Sequence, residues 1–239
     1  IAGLDIARAV FKELDPGVEM SAKVEDGARV EAGATVATIS GPTRAILTGE
    51  RVALNFLQRL SGIATATSRY VAALSGTHTR LLDTRKTTPG LRKLEKYAVA
   101  TGGGTNHRMG LWDMVLIKDN HIAAAGDIAA AVAAARSANP GVAIEVEAKS
   151  LDQVAAAVGA GVDRVMLDNM TPEQMRDAVA LTRAVESPPE IEVSGGVTGG
   201  DLAAVADLGV DFVSVGAVTH SAGALDIALE LEPTSDERS

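Results

Sequence analysis

From about residue 79 onward, short apolar runs alternate with longer stretches whose apolar residues recur at helical spacing. The runs at 80–84, 114–117, 143–146, 164–167, 190–193 and 212–215 predict strands. Helices are predicted between them at 91–101, 125–138, 151–158, 172–185 and 200–208. The stretch 143–170 is the clearest unit: strand, helix, strand, with Ser150 as the expected N-cap and Gly159 and Gly161 ending the helix. Parallel strands joined by one helix bring their C-terminal ends to the same edge. Glu147 and Asp168 then stand at equivalent places, at the mouth where α/β folds keep their chemistry. Two carboxylates facing one cleft suit a bound cation or a developing positive charge; the plainer alternative is a salt bridge from each to a neighbour. Six βα repeats in about 140 residues fall short of the about 250 typical of an eightfold barrel. An incomplete, about six-stranded α/β barrel fits better than an open doubly wound sheet, although periodicity does not decide between them.

The chain before residue 79 reads differently. Residues 4–14 predict a small helix, and 18–47 alternate loosely around the turn signals Glu25-Asp26-Gly27 and Glu31-Ala32-Gly33. This β-rich piece has a faint likeness to lipoate or biotin carrier domains, but its turn at Ser40-Gly41-Pro42 offers no lysine for attachment. Residues 48–62 predict a helix with Val52, Phe56, Leu57 and Leu60 along one side and Gly62 as its stop. Arg51 would sit in its first turn, where the helix dipole disfavours a cation and invites an anionic partner.

The residues after each strand sort by type. Arg85-Lys86 follow the first strand and Lys118-Asp119-Asn120 the second. Glu147-Ala148-Lys149 and Asp168-Asn169 follow the third and fourth, then Ser194-Gly195-Gly196 and Gly216-Ala217. The rim is basic on one arc, acidic on the next and glycine-rich on the third. Glycines there let backbone N–H groups approach an oxyanion, and barrel loops after the last strands often hold phosphate. The loop 102–108 adds His107 and Arg108, expected to swing over the mouth. Arg85, Lys86, Arg108 and Lys118 would form a cationic cleft, fit for bidentate capture of carboxylate or phosphate.

Composition narrows the classes. The 239 residues carry a net charge of −9, which argues against a general nucleic-acid surface. There is no cysteine, hence no disulfide, thiolate ligand or thiol nucleophile. No apolar run approaches the roughly 20 residues of a membrane span, and no signal peptide is visible. A cytoplasmic protein is expected, with the natural N-terminus left out, since the first residue is Ile1.

The segments GERVALNFLQRLSGIAT (49–65), DTRKTTPGLRKLEKYAVATGGGTNHRMGLWDMVLIKDNH (83–121), EVE (145–147), LDN (167–169) and SGG (194–196) closely resemble the quinolinate phosphoribosyltransferase family, also called nicotinate-nucleotide pyrophosphorylases. The resemblance implies a type II phosphoribosyltransferase of NAD biosynthesis. It further implies a barrel of few strands at 63–222, a small α+β open-faced sandwich domain at 1–62 completed by 223–239, and a homodimer. An additional N-terminal segment usual in the family is expected to be missing here. Quinolinate would be bound by Arg85, Lys86, His107, Arg108 and Lys118, with Arg51 reaching in from the partner subunit. Glu147 and Asp168 would face the ribose and the Mg²⁺ of phosphoribosyl pyrophosphate, and with Lys118 would form the catalytic set. Ser194, Gly195, Gly216 and His220 would hold the 5-phosphate, with Lys86 beside them. Two other readings stay open: a related branch found with molybdate-transport genes, and a non-catalytic phosphate-binding barrel, against which the two acids at the mouth argue.

Overall fold

The computed structural model describes residues 1–196 and 200–232 and divides into two compact units, Ile1–Ala66 with the chain from Ala222, and Thr67–Ser221. In the first unit, α1 (Leu4–Leu14) buries Leu4, Ala7 and Phe11. Strands β1 (Glu19–Ala22) and β2 (Ala37–Ser40) pair antiparallel, Glu19 opposite Ser40. Phe11, Ala7, Val18, Ile46 and Ala53 form one apolar cluster there, and Ile1, Leu4 and Leu57 another. The β-rich piece expected at 18–47 is thus only two strands of four residues. The stretch from Thr43 is already helix, since Pro42 stands just before its first turn, where a proline costs nothing. Positions 233–239, expected to help complete this part, lie outside the described residues.

Helix α2 runs from Thr43 to Ala73, 31 residues, through the Gly62 expected to end it. A Cβ on Gly62 would meet the Gly223 carbonyl oxygen at 2.0 Å, so this glycine permits a close chain approach and is not a stop. Arg51 consequently lies two turns inside the helix. The dipole penalty expected for it does not apply, because that effect fades beyond the first turn.

The second unit carries six parallel strands: β3 (Arg80–Leu82), β4 (Val115–Ile117), β5 (Ile144–Ala148), β6 (Arg164–Asp168), β7 (Glu190–Ser194) and β8 (Phe212–Ser214). Between them come α3 (Arg92–Thr101), α4 (Asp119–Ala125), α5 (Ile128–Ala138), α6 (Leu151–Gly159), α7 (Pro172–Arg183) and α8 (Leu202–Ala206), with α9 (Ala217–His220) after β8. Ser150 caps α6 as expected, accepting from the Gln153 N–H, and Thr171 caps α7 in the same way. The short helices α4 and α9 were not anticipated from the pattern; each begins directly at a strand end.

The sheet order is β3-β8-β7-β6-β5-β4, the chain order of a barrel opened at one seam, between β3 and β4. Thr105 occupies part of that seam, bridging Leu82 in parallel fashion. Alternate residues face opposite ways along each strand. Ile144, Val146 and Ala148 of β5 pack toward the helices, as do Ile191 and Val193 of β7, and all are buried. Their alternates, Glu145 and Glu192, are fully buried on the other side.

Candidate functional site

The six strand tips carry most of the side chains that the sequence singled out, while Arg51, His107 and Arg108 stand elsewhere. At the acidic arc, Glu147 is 8% exposed and ion-pairs with Lys118 Nζ from the end of β4. Asp168 ends β6 and accepts 3.0 Å from Asn169 Nδ2. Asn169 itself is left-handed, with φ 53°, an uncommon state for a residue with a side chain. A Cβ on Gly195 would collide with Asn169 Oδ1 at 2.3 Å, and Gly195 also has φ 91°. Only glycine fits there. Lys149 and Asp119 form a separate pair, 2.9 Å apart, on the outer edge.

The glycine arc is equally local. The space over Gly216 is bounded by Lys86 Cδ at 3.3 Å and His220 Nε2 at 3.1 Å from where a Cβ would stand. Thr219 Oγ1 donates to the Lys86 carbonyl at 2.8 Å, fixing that loop against α9. Lys86, Gly216 and His220 therefore surround one small volume, with Ser194 in register with Ser214 on the adjoining strand.

Arg85 follows β3 on the basic arc, whereas Arg108 stands in the seam loop with its Nη1 donating to the Met114 carbonyl, just before β4, at 3.1 Å. The Arg85 Nε is a buried donor with no partner among the described residues. Burial first, and the charge of Arg85 second, press the Arg108 guanidinium below its usual range. Two guanidinium groups near one another, one with an unused donor, are suited to an anion with more than one carboxylate. Arg51 belongs to the first unit; its side chain is 69% exposed, with Glu50 at 3.9 Å.

His107 does not swing over the mouth. It is buried, and its Nε2 lies 2.9 Å from Glu145 Oε2 and 3.3 Å from Glu192 Oε2. The loop that carries it runs beside β3 through the Thr105 bridge, and the side chain turns onto the sheet face that bears the two acids. Arg164 Nη1 reaches Glu192 from the next strand, at 3.2 Å. Burial alone would lower the His107 pKa, but the contacts with Glu145 and Glu192 overcome that and raise it to about 9. Burial, then the charge of Glu192, lifts Glu145 to about 7. Against this, the Arg108 N–H donates to His107 Nδ1 at 2.7 Å, which requires a bare Nδ1. Two carboxylates outweigh one amide dipole, so we assign the proton to the ring. Among the described residues these three side chains are also a group whose ligand-type atoms lie within 4.8 Å of one another. With Arg164 and the imidazolium already balancing the two acids, this cluster needs no metal.

Sequence reading had passed over Glu145, Glu192, Asp83 and Lys96. The first two carried a signal, an acid at an inward position of an otherwise apolar strand. Asp83 and Lys96 carry no such signal in the sequence, and both are fully buried.

Taken together, a parallel α/β sheet with cations, carboxylates and glycines at its strand ends is the arrangement of an enzyme that acts on anionic substrates. Residues 1–61 match the quinolinate phosphoribosyl transferase N-terminal domain, and residues 63–230 match its C-terminal domain. The chain is 48% identical to the probable nicotinate-nucleotide pyrophosphorylase (carboxylating) of Synechocystis sp., covering 97% of this chain and 79% of that one. Its counterpart from Bacillus subtilis is 46% identical, over 96% of this chain and 79% of that protein. The crystal structure of NadC from Streptococcus pyogenes superposes with a TM-score of 0.89 at 46% identity, covering 94% of this chain and 79% of that chain. The chain belongs to the quinolinate phosphoribosyltransferase family. No helix among the described residues is long and apolar enough to cross a membrane.

Proposed function

We propose that this protein is a quinolinate phosphoribosyltransferase of NAD biosynthesis. It joins quinolinate to phosphoribosyl pyrophosphate and releases nicotinate mononucleotide, pyrophosphate and CO₂. The observation that carries this reading is the buried, unused Arg85 Nε, on an arginine whose charge is felt by a second, Arg108. Such a pair asks for a dicarboxylate, and quinolinate has two carboxylates on one pyridine ring.

The chain's residues take the following parts. Arg85, Arg108 and Lys118 bind the carboxylates, with Lys86 at the junction of the two substrates. His107, held by Glu145 and Glu192, fixes the backbone of the loop that carries Arg108. Lys86, Gly216, His220, Ser194 and Gly195 hold the 5-phosphate. As the bond from C1 to pyrophosphate lengthens, positive charge grows on C1 and the ring oxygen of the ribose. Glu147 and Asp168 stabilise that charge, and the nitrogen lone pair attacks without needing a general base. The nitrogen then becomes cationic and stabilises the electron pair left on ring carbon C2 as the adjacent carboxylate departs as CO₂, and C2 takes up a proton from water. Lys118, paired with Glu147, is set between acceptor and donor. Glu147 and Asp168 are oxygen donors of the kind Mg²⁺ prefers, on neighbouring strands, and would hold that ion directly or through water. When bound, Mg²⁺ supplies charge neutralisation for the departing pyrophosphate.

The exposed Arg51 fits a homodimer in which each subunit lends this arginine to the other's site. A cytoplasmic location belongs to the same reading. The decisive experiment mixes protein, Mg²⁺, phosphoribosyl pyrophosphate and either quinolinate or nicotinate, and measures CO₂ and mononucleotide. Quinolinate should be strongly preferred, because nicotinate leaves cations unpaired in the site. Comparable kcat/KM for the two acids would overturn the assignment.

A further inference from the structure

The two loops that bear the basic arc are both tied to one helix that touches no substrate in the reading above. Helix α3 sets Arg92 and Lys96 four residues apart, on one face. Arg92 reaches the first loop, its Nε donating to Thr87 Oγ1 at 3.1 Å and its Nη2 to the Arg85 carbonyl at 3.4 Å. Its Nη1 reaches the second loop, donating to the Met109 carbonyl at 3.2 Å. Lys96, fully buried, donates from Nζ to the His107 carbonyl at 3.0 Å and to Asp83 Oδ1. Asp83 Oδ1 in turn accepts the His107 N–H at 2.8 Å, so that residue is held at both its backbone groups by one buried ion pair. Glu95, between the two cations, accepts from the Thr88 N–H at 3.1 Å and from Thr88 Oγ1 at 2.7 Å.

The arrangement has a physical task. Arg85 and Arg108 repel, and the loops carrying them sit at the seam where the sheet has no ladder to fix them. Without restraint they would drift apart whenever no anion lies between them. We propose that Arg92 and Lys96 are positioning residues, which splint the loops of Arg85 and of His107-Arg108 at the separation a dicarboxylate requires. The phosphate half of the rim hangs elsewhere: the Lys86 carbonyl is held by Thr219 of α9, one residue along from the carbonyl that Arg92 holds. The two substrates are thus served by restraints from different helices, so each KM can be moved alone. This rests on the residue roles proposed above.

Steady-state kinetics on the full chain, with both substrates varied, test it. Arg92→Met should raise the KM for quinolinate by about tenfold, the scale of losing hydrogen bonds from a charged group. Its kcat and its KM for phosphoribosyl pyrophosphate should stay within about twofold, because neither reacting atoms nor phosphate contacts change. Arg92→Lys, which can still reach one of the carbonyls, should recover part of the loss. Thr219→Val should do the reverse, raising the KM for phosphoribosyl pyrophosphate alone. Lys96→Met strands Asp83 without its cation, so the double variant Asp83→Asn/Lys96→Met, which removes both charges, accompanies it and should show the same KM split as Arg92→Met. Equal rises in both KM values for Arg92→Met, an unchanged KM for quinolinate, or a lower kcat at unchanged KM would each overturn the splint. Arg85→Ala serves as reference. If it leaves the KM for quinolinate unchanged, the site assignment fails and the splint with it. If it raises that KM while Arg92→Met does not, only the splint fails.

Discussion

The charge on His107 is the point at which the site can be examined most directly. Its ordinary pKa of 6.5 is raised to about 9 by Glu145 and Glu192, against the opposing effect of burial. At about 1.4 kcal/mol per pKa unit, that difference corresponds to about 3 kcal/mol of preference for the folded imidazolium. Because the folded pKa lies above the unfolded one, this stability is complete below about pH 6.5. It is lost as the pH rises through about 9. Replacing Glu192 by glutamine removes one of the two carboxylates and should bring the His107 pKa down by one to two units, of the order expected for losing a charge within hydrogen-bond reach. The protein has four histidines, so an imidazole ¹⁵N titration is readily assigned with His107→Gln as the blank. Thermal melting of wild type and Glu192→Gln between about pH 6 and 10 gives the stability side of the same linkage. The wild type should lose more stability across that range than the variant. A His107 that titrates near 6.5, or whose Nδ1 stays bare at neutral pH, would refute the reasoning and give the Arg108 amide the decisive say.

Two further outcomes are expected. Homodimers of Arg51→Ala and of Glu147→Ala should each be nearly inactive, while an equal mixture unfolded and refolded together should recover roughly a quarter of wild-type activity, if subunits pair at random about a twofold axis; no recovery would mean that Arg51 serves its own subunit. Gly62→Ala should destabilise by about 1–3 kcal/mol in a thermal or urea melt, since overpacking against the Gly223 carbonyl outweighs the helix propensity gained. A stabilised variant would show that the chain at Gly223 yields.

The sheet was legible because its strands are short apolar runs separated by helices of strict period, and all six expected strands occur within a residue or two of their expected ends. The rim chemistry was legible for the same reason: polar residues at strand ends stand out against apolar runs. What escaped was set by tertiary contact. Gly62 reads as a helix stop in one dimension and is a contact point in three, because the carbonyl it admits belongs to Gly223, far along the chain. His107 sits in a glycine-rich stretch that looks like a mobile loop. Its burial follows from Asp83, Lys96, Glu145 and Glu192, which lie on four different elements. No periodicity marks a lysine such as Lys96 as buried; only the carboxylate and carbonyl that meet it do so.

The seam between β3 and β4 has a bearing on how such a site can change over time. Every other strand neighbour in the sheet is fixed by a ladder, so an altered backbone there would propagate to the next strand. At the seam the chain is held instead by the single Thr105 bridge to β3 and by side chains, Arg92, Lys96 and Asp83, grasping single peptide groups. Exchanging those few residues could reset the distance between Arg85 and Arg108 while leaving the ladder untouched. Acceptor preference could then drift at one joint of the fold while Glu147, Asp168 and Ser194, on strands braced from both sides, kept their places.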